Sequence, residues 1–193
     1  MPYPYLVQIA WDVVNNFILD WQKQPYRWGI EREIQAEIYS RLSNAYNLIG
    51  KGAIKGNYKW AIKGFEHNQI WNRAACESKI NYKYKDGKTY HCFPDLIVWD
   101  EIENPGSPPK ENENWPMLWL CEIKANSSNR VIGSDKDWDV EKLEYLLTQN
   151  YVRHALWLNF FHQRSKKKKA INWSKPLKDR ELWVCTVNLP RNT

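Results

Sequence analysis

Two short apolar runs in this chain, FPDLIVW and WLCEIKA, contain charged side chains where a buried β-strand usually has none. Asp95 stands at the start of the first run, and Glu122 and Lys124 lie inside the second. Alternate side chains of a strand face the same side of its sheet, so Glu122 and Lys124 point together while the residues between them point to the other face. A buried charge is costly unless it is paired or binds a metal ion. The pattern therefore predicts a polar site where two neighbouring strands meet.

The length and composition of the chain limit the classes of protein to be considered. With 193 residues, the chain is long enough for one domain with a buried core, and a single domain over residues 1–193 is predicted. The longest apolar run is far shorter than the roughly 20 residues of a membrane span, and MPYPYLVQ lacks the order of a signal peptide. A soluble, cytoplasmic protein without membrane contact is expected. The formal net charge of +6 favours an anionic partner, although proteins that bind no nucleic acid also reach this value.

The cysteines and histidines do not have the spacings that are typical of metal sites. The absence of a C-x-x-C pair argues against a zinc site and a disulfide framework, so the thiols are expected to be buried and reduced. The histidines are expected to be polar or partly buried residues, and only His91 lies close to Asp95 in the sequence. The residues in question are Cys76, Cys92, Cys121, Cys185, His67, His91, His154 and His162.

Hydrophobic periodicity predicts three helices, because apolar residues recur at intervals of three and four. Alternating apolar residues and turn signals predict strands, including a hairpin that turns at Asp86-Gly87. The predicted helices cover residues 5–21, 29–49 and 138–150, and the predicted strands cover residues 80–84, 89–92, 96–99, 117–123, 155–161 and 181–187. This order, a helix followed by a β-meander, a helix and further strands, favours an α/β sandwich around a mixed sheet.

The side chains of Asp95, Glu122 and Lys124 suit a particular chemistry. Two carboxylates on adjacent strands form a hard-oxygen site for Mg²⁺ or Mn²⁺, and the cation would offset their mutual repulsion. The lysine could orient or help to deprotonate a water molecule that attacks phosphorus, while the metal stabilises charge on the phosphate oxygens. The alternative is structural: Asp95 caps a turn after Pro94, and Glu122 and Lys124 form an exposed pair on an edge strand, where such pairs contribute little.

The same two segments resemble the signature of the PD-(D/E)XK nuclease superfamily, which has the restriction-endonuclease-like fold. The match covers Pro94, Asp95, Glu122 and Lys124, in strands of the expected type and order. The resemblance implies that Asp95, Glu122 and the backbone carbonyl of Ile123 bind Mg²⁺ or Mn²⁺, and that Lys124 assists the attacking water.

The resemblance also implies how the chain is divided. Residues 29–161 would form the catalytic αβββαβ core, a mixed central sheet flanked by helices. Residues 1–28 would add an extra N-terminal helix, and residues 162–193 would supply a basic loop and a C-terminal strand.

A further glutamate often comes from the helix before the sheet in that superfamily, and ERE followed by Ile34 resembles the start of that helix in archaeal Holliday-junction resolvases. With about 100° per residue and Ile34 at zero, the apolar stripe of this helix centres near about +25°. Glu31 then lies at about +60°, Glu37 at about −60° and Glu33 at about −100°. Glu31 is therefore predicted to face the sheet and complete the site, with Glu37 as the fallback.

Two basic segments are candidate contacts for phosphate groups, although each is a solvated loop in the alternative interpretation. The first lies in the glycine-containing stretch 50–70, which is predicted to be a loop, and the second is SKKKK. The lysines are Lys55, Lys59 and Lys63 in the first segment, and Lys166, Lys167, Lys168 and Lys169 in the second.

These features together predict a Mg²⁺-dependent endodeoxyribonuclease, with RNA as an open alternative substrate. No second domain is predicted to read a target, so recognition is expected from loops, from a second copy of the chain in a homodimer or from a partner protein. Another interpretation keeps the fold without the chemistry: a catalytically inactive nucleic-acid-binding module, or a subunit of a defence or mobile-element complex.

Overall fold

The computed structural model describes residues 4–55, 70–100, 117–125, 138–164, 171–173 and 181–189. Within these ranges lie the helices α1 (Pro4–Lys23), α2 (Glu31–Leu48) and α3 (Trp138–Thr148), with a short 3-10 helix at Pro25–Arg27. The three helices predicted from periodicity are confirmed, and their ends differ from the predicted ones by at most two residues. None of these three helices combines the length and the apolar character that a membrane crossing requires.

Six of the strands in the described part of the chain form one central sheet. The strands are β1 (Ala53–Lys55), β2 (Ile70–Asn72), β3 (Ala74–Cys76), β4 (Ile80–Lys83), β5 (Thr89–Cys92), β6 (Leu96–Trp99), β7 (Met117–Ala125), β8 (Val152–Arg164), β9 (Ile171–Trp173) and β10 (Leu182–Leu189). The order across the sheet is β3-β6-β7-β8-β10-β9. Strands β7, β8 and β10 are parallel, whereas the other pairs are antiparallel. The α/β class and the mixed sheet are therefore confirmed.

The central sheet lies between two helical layers. Helix α2 buries a stripe with the spacing of an amphipathic helix, and this stripe packs with α1 against one face of the sheet. Cys121 and Ile123 of β7 belong to this core, whereas Leu120 belongs to the core that α3 covers on the opposite face. Alternation along β7 therefore directs Glu122 towards α3.

The predicted β-meander is wrong in one respect. Strands β4 and β5 pair with each other in a separate two-stranded sheet, and the antiparallel neighbour of β6 in the central sheet is β3. The physical reason is burial: Ile80, Tyr82 and Cys92 turn their side chains into the core beneath α3. The hairpin thus covers the central sheet instead of extending it.

Other sequence-based expectations need correction or concern residues outside the described ranges. Residues 53–55 and 70 belong to the pair β1-β2, where a loop was predicted. Cys76 is exposed although a buried thiol was expected, whereas the other three cysteines are buried; all four are free thiols. Of the candidate phosphate contacts, Lys55 ends β1, and its side chain is outside the description, as are Lys59, Lys63 and Lys166 to Lys169. His67 is also outside it.

Candidate active site

Asp95 lies directly before β6 and is held against the neighbouring strand β7. The register pairs Leu96 with Cys121, so Asp95 lies beside Glu122. Its carboxylate Oδ2 accepts a hydrogen bond from the backbone N–H of Ile123, with 2.6 Å between nitrogen and oxygen. Burial raises the pKa of Asp95, and the Ile123 N–H and the charge of Lys124 offset only part of this effect. The two predicted carboxylates are thus neighbours across two strands.

Glu122 is the most deeply buried carboxylate of this region, with 4% of its side chain exposed. Its Oε1 accepts a hydrogen bond from Nζ of Lys142, and its Oε2 lies 3.9 Å from Nζ of Lys124. Burial raises the pKa of Glu122 to about 7; the charge of Lys142 counteracts this, and the charge of Asp95 adds to it. A carboxylate in such surroundings gains more from a bound cation than an exposed one does.

The ammonium group of Lys124 is surrounded by carboxylates. Its Nζ lies 3.1 Å from Oδ2 of Asp139 and 4.0 Å from Oε1 of Glu31, in addition to its contact with Glu122. Burial lowers the pKa of Lys124, but the negative charges of Asp139, Glu31 and Glu122 outweigh burial and raise it. In this arrangement the lysine is a fixed positive charge and a hydrogen-bond donor. Of the two roles predicted for Lys124, this arrangement favours orienting the attacking water over deprotonating it.

Helix α3 contributes two residues that the sequence prediction missed, Asp139 and Lys142. Nζ of Lys142 lies 3.4 Å from Oδ1 of Asp139 and also binds Glu122. The pKa of Asp139 is lowered overall. Burial by itself would raise this pKa, but the positive charges of Lys124 and Lys142 have the larger combined effect. The sequence did contain a signal for Asp139. On a helical wheel with Leu143 placed at zero, Asp139 lies at about −40°, which is inside the apolar stripe of α3. The same reasoning had singled out Glu31.

The three glutamates of α2 have different environments. Glu31 lies beside Lys124, and burial, with smaller effects from Asp95 and Asp139, raises its pKa. Oε2 of Glu33 accepts hydrogen bonds from the backbone N–H groups of Gly29 at 2.8 Å and Ile30 at 3.3 Å, so Glu33 caps the helix.

Glu37, the fallback, lies in a different ion pair. Its Oε1 accepts a hydrogen bond from Nε of Arg41 at 2.9 Å, and Nη1 of the same arginine donates to Oδ2 of Asp20 at 2.8 Å. Only Glu31, among the three glutamates of α2, is placed beside the predicted site.

The buried side chain of Gln35 links α2 to the loop before β6. Its Nε2 donates a hydrogen bond to the backbone carbonyl of Asp95, with 2.9 Å between nitrogen and oxygen. Gln35 is one helical turn after Glu31, so the same contact sets the position of Glu31 relative to Asp95. No sequence pattern distinguished Gln35 from other polar residues of α2, because its partner is 60 residues away in the chain.

The charges of the cluster suit a divalent cation. Four carboxylates, Glu31, Asp95, Glu122 and Asp139, surround two ammonium groups, and this leaves a formal excess of two negative charges. All potential ligands are oxygen atoms, the type that Mg²⁺ and Mn²⁺ prefer. In the described ranges no group of three or more His, Cys, Asp or Glu residues stands ready to hold a metal ion. A Mg²⁺ site with one or two carboxylates and several waters needs no such group.

The three described histidines are exposed or contact residues outside this cluster of charged side chains. His91 is exposed on β5, Nδ1 of His154 lies 3.3 Å from Oε2 of Glu181, and Nε2 of His162 lies 3.1 Å from the carbonyl oxygen of Pro25.

Comparison of the chain with protein-family models, curated proteins and solved structures found no match. Function is therefore inferred from the chemistry of the site.

Proposed function

We propose that this protein is a metal-dependent nuclease that hydrolyses phosphodiester bonds within DNA. The observation that carries the proposal is the position of Asp95, Glu122 and Lys124, which meet at two adjacent strands in partly or fully buried surroundings. The addition of Glu31 from α2 agrees with the site that the PD-(D/E)XK resemblance implies.

The order of the secondary structure also supports this assignment. Helix α2 is followed by three antiparallel strands of the central sheet, β3, β6 and β7, then by α3 and by β8 parallel to β7. This order agrees with the αβββαβ core that the resemblance implies. Helix α1 and strands β9 and β10 are additions to it.

The proposed roles follow from the geometry. Asp95, Glu122 and the backbone carbonyl of Ile123 would hold Mg²⁺ or Mn²⁺, which supplies Lewis-acid stabilisation of the phosphate oxygens. Lys124 orients the attacking water with its ammonium group and adds positive charge near the phosphate. Glu31 and Asp139 keep this ammonium group charged and in position. Gln35 sets the distance between α2 and the Asp95 loop.

One observation favours a second candidate function. The ammonium group of Lys142 already lies against Glu122, which is where a cation would otherwise compensate the buried carboxylate. A protein that had lost the chemistry could keep this closed ion-pair cluster as part of its core. The second candidate is therefore an inactive nucleic-acid-binding module, or a subunit of a defence or mobile-element complex.

A cleavage assay combined with a binding assay distinguishes the two functions. The purified protein is incubated with linear, circular, single-stranded and branched DNA and with RNA, in Mg²⁺, Mn²⁺ or EDTA. We expect cleavage of DNA only with metal, and loss of cleavage in Asp95→Asn, Glu122→Gln and Lys124→Met, because the three groups act as one unit. Glu37→Gln is the matched control, since Glu37 pairs with Arg41.

The binding measurements decide between the remaining outcomes. Calorimetric titration of Mn²⁺ should show one site that Asp95→Asn and Glu122→Gln weaken. Tight binding of DNA without cleavage in either metal would support the binding module instead. A protein that neither binds nor cleaves nucleic acid would show that the cluster is structural.

A further inference from the structure

The hairpin β4–β5 has two faces with different surroundings. Ile80 pairs with Cys92 and Tyr82 with Tyr90 on one face, whereas Asn81 pairs with His91 and Lys83 with Thr89 on the other. The first face, here called the inner face, contains the buried residues Ile80, Tyr82 and Cys92. The other is called the outer face, and Lys83, Thr89 and His91 lie on it. Lys79 and Phe93 directly flank the two strands and continue the same alternation, and all five residues are exposed.

The inner face anchors the hairpin to the rest of the domain. Tyr82 stacks on Tyr90 with 6.1 Å between ring centroids, and Tyr84 contacts the ring of Tyr145 on α3 at 4.8 Å. The hydroxyl of Tyr145 donates a hydrogen bond to the carbonyl of Lys83, and the N–H of Lys83 donates to the hydroxyl of Tyr151 at 3.3 Å. These hydrogen bonds hold the backbone of the hairpin against α3 and against Tyr151, the residue directly before β8.

The outer face has the composition of a surface that binds unpaired nucleic acid. Phe93 is 53% exposed, and its ring meets the ring of His91 edge to face with 5.8 Å between centroids. Lys79 and Lys83 lie exposed on the same face. Residues 79–93 contain four lysines and one aspartate, so the hairpin is strongly basic. Single-stranded nucleic acid binds where aromatic rings stack on bases and basic side chains follow the backbone.

The outer face ends close to the candidate active site along the chain. Phe93 precedes Asp95 by two residues, so their Cα atoms are at most about 7 Å apart. The carbonyl of Pro94 between them accepts a hydrogen bond from the N–H of Glu77 at 3.0 Å, which holds this connection in place. A strand with its phosphate at Asp95 would therefore place the adjoining bases within reach of Phe93.

We propose that the outer face of the β4–β5 hairpin binds the unpaired segment of a DNA substrate next to the bond that is cut. Phe93 and His91 stack on its bases, and Lys79 and Lys83 bind its phosphates. This inference rests on the proposed nuclease function and deepens it: the substrate is single-stranded DNA or DNA with an unpaired stretch beside the cleavage position. Duplex DNA presents its bases stacked on each other and gains little from this surface.

The lysines at the tip of the hairpin provide a matched control. Nζ of Lys85 lies 5.9 Å from the ring centroid of Tyr84, and Nζ of Lys88 lies 4.0 Å from Oδ2 of Asp86. Lys85 also lines an open groove with Glu141 and Glu144 of α3, whose negative charges oppose a phosphate backbone. The two pairs of lysines have equal charge and lie on the same hairpin, but only Lys79 and Lys83 lie on the outer face.

Tyr5 serves as the control for an exposed aromatic ring, because it is 44% exposed and lies near the start of α1. The hydroxyl of Tyr46 donates a hydrogen bond to the carbonyl of Leu6, so this end of α1 lies beside the end of α2 that is remote from Glu31. Fifteen residues separate Glu31 from Tyr46, or about 22 Å of helix.

Fluorescence anisotropy of the full chain in EDTA tests the proposal without depending on cleavage. The probes are a labelled oligothymidylate and a labelled duplex of equal length. We expect Phe93→Ala to weaken binding of the single strand by about fivefold or more, to affect the duplex much less, and Phe93→Trp to retain the affinity. Lys79→Ala with Lys83→Ala should reduce the slope of log affinity against log salt by about 1.4, since each phosphate contact contributes about 0.7.

The control variants Tyr5→Ala and Lys85→Ala with Lys88→Ala should leave these values unchanged. Unaltered binding in Phe93→Ala, an equal loss on duplex and single strand, or an equal effect of the two lysine pairs would overturn the proposal. Circular dichroism melting of each variant shows whether a loss of binding reflects a loss of fold. A protein that binds the single strand through Phe93 but cuts nothing would refute the nuclease function and leave this surface in place.

Discussion

The ammonium group of Lys142 hydrogen-bonds to Oε1 of Glu122, and the side chains are only 8% and 4% exposed. The contact joins α3 to β7 across 20 residues of sequence. Removing only one member of such a deeply buried ion pair destabilises the protein strongly, because the remaining charge is left unpaired in the interior. It therefore links the stability of the fold to the charges of the candidate site.

Replacement of Lys142 by methionine should destabilise the protein by about 3 kcal/mol or more at pH 8 in EDTA, since Glu122 then lacks its buried cation. Urea denaturation measures the change. The double variant Lys142→Met with Glu122→Gln should regain a large part of the loss, because no charge remains to be compensated. A double variant no more stable than Lys142→Met alone would show that packing of the lysine stem, and not its charge, sets the cost.

In the absence of metal, the free energy of unfolding should decrease as the pH rises from 4.5 to about 7. The pKa of Glu122 is raised from 4.5 to about 7 by burial, so the folded protein binds more protons than the unfolded chain in this interval. The raised pKa values of Asp95 and Glu31 act in the same direction.

Thermal melting in EDTA across this pH range checks the sign, and Glu122→Gln should flatten the curve. Lys124 and Lys142 do not oppose the trend, because neighbouring carboxylates raise their pKa values further above this pH range. An unchanged slope in Glu122→Gln would remove Glu122 as its source.

Glu31→Gln should lower the rate of DNA cleavage at least about tenfold while the melting temperature changes little, because Glu31 helps to hold the ammonium group of Lys124 and is half-exposed. Glu33→Gln should retain the rate, since its carboxylate caps α2. Glu37→Gln should also retain it, as Glu37 pairs with Arg41. Single-turnover cleavage measures all three. Full activity in Glu31→Gln together with inactivity in Glu37→Gln would mean that α2 presents its other edge to the substrate.

Neutralising the two lysine-rich segments should weaken DNA binding to a similar degree for all sequences and flatten its dependence on salt, because lysines would meet phosphates and not base edges. One variant changes Lys166 to Lys169, and the other changes Lys55, Lys59 and Lys63. Anisotropy titrations at several salt concentrations provide the measurement. Salt slopes equal to that of the unaltered protein in both variants would assign these lysines to solvent.

The relation of sequence to structure differs between the parts of this protein. Local periodicity was sufficient for the three helices and for strands β6, β7, β8 and β10, since the spacing of apolar residues reflects which side of each element is buried. Strands β1, β2, β3 and β9 have only three residues each and show too few alternations to be recognised. The hairpin β4–β5 was predicted as a hairpin, but its position outside the central sheet was not.

For the candidate site, alternation along β7 determined by itself that Glu122 and Lys124 share a face, and the phase of α2 distinguished Glu31 from Glu33. The tertiary structure alone decided which other residues join them. Asp139 and Lys142 reach the site because α3 packs against β8, the strand next to β7. Gln35 reaches Asp95 because α2 packs against β3 and β7, the strands on either side of β6. The physical reason is that a side chain's direction within its own element follows from local geometry, whereas its partners depend on how elements distant in sequence pack together.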